Sequence, residues 1–86
     1  MLQLTLFEIE VLSALKRADP AGLSDAEVAR AVKKNGRGVR ETTQNLANKG
    51  CIREGDKERR SDAISPVRIW HITDAGLGAL DRSEAA

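Results

Sequence analysis

The chain has 86 residues, enough for one small core and too few for two domains. Hydrophobic residues supply 41% of it and charged residues 31%, a balance that excludes a disordered polyelectrolyte and leaves a folded globular domain. Phe7 and Trp70 are its only aromatic residues, which excludes an aromatic platform for stacking single strands, and the lone Cys51 excludes an internal disulfide. With no apolar run of signal-peptide or membrane-span length and no targeting segment in view, the expectation is a cytoplasmic protein without a membrane partner.

A net charge of +1 conceals a strong asymmetry. Residues 1 to 29 carry two basic side chains against five acidic ones, and residues 61 to 86 two against four. Residues 30 to 60 carry ten basic side chains against four acidic, a net of +6 that would suit a polyanion or simply form a solvated surface.

In chain order, Thr5 and Glu8 have the spacing of a capping box and predict a helix start. Phe7, Val11, Ala14, Leu15 and Ala18 then fall on one stripe, with Glu10, Ser13 and Arg17 opposite, and Asp19-Pro20 ends the helix near Ala18. Ser24 and Glu27 make a second capping box, with Leu23 and Val28 as its hydrophobic staple, for a helix running to about Val32. After a turn through Lys33-Lys34-Asn35-Gly36, a third helix from about Arg37 carries Val39, Thr43, Leu46 and Ala47 on its inner side and ends at Gly50, the expected left-handed cap. Arg37, Arg40, Glu41, Gln44, Asn45 and Asn48 lie on its outer side. Residues 51 to 54 and 67 to 72 read as strands flanking a charged loop, and Thr73-Asp74 caps a short final helix through Leu77 and Leu80. The expected organisation is a single domain over residues 1 to 82 and a fraying tail over 83 to 86.

Three strings, Leu23-Ser24-Asp25-Ala26-Glu27-Val28-Ala29, Leu46-Ala47-Asn48-Lys49-Gly50-Cys51-Ile52 and Ile72-Thr73-Asp74-Ala75-Gly76, together with this element order, resemble the winged helix-turn-helix domain of bacterial-type transcriptional regulators. The likeness covers nearly all of residues 4 to 80. It implies an α+β winged helix: a three-helix core with a helix-turn-helix, a two-stranded β-hairpin wing and a short C-terminal helix. The implied partner is double-stranded DNA, with the third helix in the major groove and no cofactor. On this chain the base readers would be Arg37, Arg40, Gln44 and Asn45, because Arg can pair with guanine and Gln or Asn with adenine, while Glu41 could accept from cytosine. Lys33 and Lys34 in the turn, and Arg53, Lys57, Arg59 and Arg60 on the wing, would contact phosphates.

The wing departs from the pattern, since Lys57, Arg59 and Arg60 are matched by Asp56, Glu58 and Asp62. That neutrality favours an alternative, a protein-interaction adaptor that keeps the fold without binding DNA. Gly36 and Gly38 beside Arg37 either allow close approach to phosphates or mark a frayed first turn. Leu2, Leu4, Leu6 and Ile9 offer either an exposed patch for a homodimer or an extension of the core.

Isolated residues carry less. His71 has no partner at metal-ligand spacing and reads as a surface residue; Cys51 reads as a small buried hydrophobe. Trp70 is expected in the core with its indole N–H in need of an acceptor. No phosphate loop, nucleophile with its base, or pair of carboxylates suggests an enzyme.

Overall fold

The computed structural model describes residues 4–32, 36–59 and 65–85, with the side chains of 36, 37, 84 and 85 left out. Helix α1 (Leu6–Ala18) starts at the predicted box, where Glu8 N–H donates to Thr5 Oγ1 at 3.1 Å and Thr5 N–H to Glu8 Oε1 at 2.8 Å. It stops where Asp19 turns extended (φ −60°, ψ 138°), as the following proline requires. Two residues, Leu23–Ser24, form strand β1, and helix α2 (Asp25–Val32) follows directly. The second box closes with Glu27 N–H donating to Ser24 Oγ at 3.2 Å and Ser24 N–H to Glu27 Oε1 at 2.8 Å.

Helix α3 (Gly36–Asn48) leads through Gly50, at φ 79°, into strand β2 (Ile52–Glu54); β3 (Ile69–Ile72) and α4 (Asp74–Ala85) complete the chain. The expected two-stranded hairpin is present as β2 and β3, and the sheet adds a strand to it. The sheet has three strands in the order β1-β3-β2, all antiparallel, rather than a two-stranded hairpin alone. Leu23 pairs with Trp70 and Ser24 with Ile69, so the residues read only as staple and cap also close the free edge of β3. A two-residue strand has no alternation to betray it. Gly22, at φ 76°, permits this approach: a Cβ there would lie 2.6 Å from Ile69 Cγ2 and 2.7 Å from the Trp70 carbonyl oxygen.

The hairpin of β2 and β3 extends outward through a bridge between Glu58 and Val67, with Glu58 N–H donating at 3.0 Å and Val67 N–H at 2.8 Å. Residues 83 to 85, expected in a fraying tail, continue α4.

The core is one cluster of Val11, Leu12, Leu15, Val28, Val39, Leu46, Cys51, Ile52, Trp70, Ile72, Ala79 and Leu80. The stripe predicted for α1 is buried at Val11, Ala14 and Leu15 and is widened by the buried Leu12 and Glu8, whereas its ends, Phe7 and Ala18, are half-buried. Helix α1 packs against α2, α3, α4 and β3 at once, which buries a wider arc than a single facing element would. Among the described residues, no helix is long and apolar enough to cross a membrane.

Candidate nucleic-acid interface

Helix α3 is anchored on one side by Val39, Thr43 and Leu46, each no more than 1% exposed. On the other side Arg40, Glu41, Gln44, Asn45 and Asn48 are all exposed, and none of the described residues covers them. Gln44 Nε2 donates to Asn48 Oδ1 at 3.4 Å, which holds two amides as a pair along the helix. The predicted readers Arg40, Gln44 and Asn45 thus stand together; Arg37 is in the first turn of α3 and its side chain lies outside the described residues. Beside them, Glu41, Thr42, Asn45 and Asn48 form one wall of a groove of about 420 Å³ whose other wall is Thr5, Glu8 and Lys49.

Of the predicted phosphate contacts, Arg53 on β2 and Lys57 and Arg59 on the wing are exposed, while Lys33, Lys34 and Arg60 lie outside the described residues. Two cations take internal roles that the charge pattern does not reveal. Lys49 Nζ sits 2.8 Å from Glu8 Oε2 and 3.0 Å from Oε1, although it counts with the basic block. Burial pushes the Glu8 carboxyl upward, but hydrogen bonds from Lys49 and the Thr5 backbone and the Lys49 charge outweigh it, leaving Glu8 below its ordinary value. Arg68 Nη1 lies 3.2 Å from Glu54 Oε1 and its Nη2 3.8 Å from Asp25 Oδ2, with the guanidinium carbon 4.9 Å from the Trp70 ring centre.

Trp70 finds the acceptor it needs in Asp25, whose Oδ1 receives the indole N–H at 2.7 Å. No spacing in the chain announces that pair; only the demand of a buried indole for an acceptor points to it. Cys51 is fully buried, and burial pushes its thiol up, which disfavours the reactive thiolate. Among the described residues, no group of three or more His, Cys, Asp or Glu is placed to hold a metal ion.

Neither a protein-family model nor a curated protein sequence matches the chain. Solved structures do. MepR of Staphylococcus aureus, a transcription regulator of the multidrug efflux pump MepA, superposes with a TM-score of 0.79 at 20% identity, over 96% of this chain and 57% of that one. A MepR–DNA complex gives 0.76 at 18% identity, over 95% and 63%. ZitR of Lactococcus lactis, a zinc-responsive MarR family member, gives 0.73 at 18% identity, over 98% and 54%. The chain therefore spans little more than half the length of these neighbours. From the anchored third helix, the strand pair with its extended tip and these superpositions, the fold follows: the chain is a winged helix, as its three sequence strings imply.

Proposed function

We propose that the chain is a sequence-specific double-stranded DNA-binding domain of a transcription regulator, with α3 reading the major groove. The observation that carries this reading is the exposed row of Arg40, Glu41, Gln44, Asn45 and Asn48 on a helix whose opposite side is locked in the core. A base edge demands directional donors and acceptors on a support that does not yield, and this row supplies both. The solved complex of MepR with DNA, a structural neighbour, supports the same reading. In this proposal Arg37, Arg40, Gln44 and Asn45 read bases, and Lys33, Lys34, Arg53, Lys57, Arg59 and Arg60 meet phosphates. The protein acts in the cytoplasm by binding and not by catalysis.

One observation favours the adaptor alternative: on the wing, exposed Lys57 and Arg59 alternate with exposed Asp56 and Glu58. Salt separates the two. Duplexes selected by the wild-type chain from a random library should bind with a logarithmic affinity that falls linearly with logarithmic salt, at a slope of about −0.9 per phosphate neutralised. Gln44→Ala should cost about 1 to 3 kcal/mol at one base position, while Lys57→Ala should weaken all sequences alike and reduce the slope by about one. A chain that selects no duplex at low salt overturns the DNA reading.

A further inference from the structure

Resting on that reading, we propose that Asp25 is a positioning residue for DNA recognition: one carboxylate holds the recognition helix and the wing in a fixed mutual setting, so that groove and backbone contacts form together. Asp25 is the first residue of α2. Its Oδ1 accepts the Trp70 indole N–H of β3 at 2.7 Å and lies 3.4 Å from Thr43 Oγ1, at the middle of α3. The Thr43 hydroxyl has one proton to share between Asp25 and the nearer Arg40 carbonyl oxygen at 3.0 Å, directly behind a predicted base reader. On the other side Oδ2 is 3.8 Å from Arg68 Nη2, and Arg68 in turn bonds Glu54 of β2 at 3.2 Å and stacks over Trp70.

One side chain therefore touches α3 and the root of the wing. The hydrogen bond from the indole is short and charge-assisted; its donor Trp70 is only 3% exposed, while the Asp25 side chain that accepts it is 29% exposed. Arg68 is held on three sides, by Asp25, Glu54 and the Trp70 ring, and so braces the wing instead of reaching phosphates. Outward from this brace the strands continue to the bridge of Glu58 and Val67, beside the exposed Lys57.

Asp25 in the first turn of α2 also favours that helix through its dipole, a purely structural role. The test must separate the two roles, and a double-mutant cycle does so. Lys57→Ala should weaken binding of the selected duplex about 3- to 10-fold in the wild-type chain and leave it unchanged in Asp25→Ala, because an unpositioned wing has no contact left to lose. Asp25→Asn keeps an oxygen for Trp70 and Thr43 and should restore much of the Lys57 effect. Equal Lys57 effects in all three backgrounds overturn the proposal.

Trp70 is the only tryptophan, so one indole N–H resonance reports the clamp without DNA. In Asp25→Ala that proton and the amides of Glu58 and Val67 should exchange faster while the amide of Leu15 in the core keeps its protection. Unchanged wing protection also overturns the proposal. Should Asp25→Ala not fold, Arg68→Met carries the same cycle. A wild-type chain that selects no duplex removes the DNA reading, whereas accelerated exchange in the wing of Asp25→Ala would still establish the clamp.

Discussion

Glu8 does two jobs with one carboxylate. It closes the capping box of α1 by accepting the Thr5 N–H, and it neutralises Lys49 from the far end of α3 while itself 4% exposed. Removing the cation leaves a buried charge short of a partner, so Lys49→Met should cost about 1 to 3 kcal/mol in chemical denaturation, below the range for fully buried pairs because Lys49 keeps contact with water. A pH series tests the same pair. The folded value of Glu8 is lowered, so its contribution is present above the unfolded glutamate value of about 4.3 and is lost as pH falls through the folded value. In Lys49→Met the upward push of burial loses its main opponent, so protonating Glu8 no longer opposes folding, and the stability deficit against the wild type should be largest above the glutamate range and shrink as pH falls through it. A deficit that stays the same as pH falls through the glutamate range would show that the Glu8–Lys49 pair is not its source.

At the scale of elements, two of the strings that resemble a winged helix prove to be halves of one joint. The Cys51 carbonyl accepts the Thr73 N–H at 3.0 Å, and Thr73 Oγ1, which accepts the Gly76 N–H at 3.0 Å, donates to the Gly50 carbonyl at 2.7 Å. The passage from α3 into β2 is thereby fastened to the passage from β3 into α4. The two glycines are required for different reasons. Gly50 has φ 79° and open space around it, so Gly50→Ala should cost only the left-handed strain, about 1 kcal/mol. A Cβ on Gly76 would collide with the Cys51 carbonyl oxygen and lie 2.9 Å from Ile72 Cγ1, so Gly76→Ala should cost about 3 kcal/mol and loosen the joint. Urea midpoints of the two variants check the order; the reverse order would mean that the joint yields freely.

For the whole molecule, the open question is pairing. Leu6 is 76% exposed on α1, whereas Leu4 and Ile9 are partly buried against the core and Leu2 lies outside the described residues. The patch expected from Leu2, Leu4, Leu6 and Ile9 thus divides, with Leu4 and Ile9 extending the core and Leu6 left facing solvent. We propose a homodimer centred on Leu6, which would present two copies of α3 to a two-fold duplex. Leu6→Glu should leave the stability of the monomer within about 0.5 kcal/mol of its wild-type value, since the site is exposed, yet convert dimer to monomer in sedimentation. A wild-type chain that sediments as a monomer with and without duplex would remove the dimer.

Both capping boxes, the inner and outer sides of α3, the cap at Gly50 and the order of the main elements are legible from residue spacing alone. Each rests on partners three or four residues apart, a distance at which backbone geometry alone dictates who meets whom. The same spacing makes the row from Arg40 to Asn48 legible as a candidate surface, because helical period separates the two sides. Folding is what brings Lys49 to Glu8, sets the Trp70 indole and Arg68 against Asp25, and makes a third strand of Leu23–Ser24. Those partners are 41 to 47 residues apart along the chain, one pair of them on a strand too short to show a period, so nothing local selects them; packing around one shared core does.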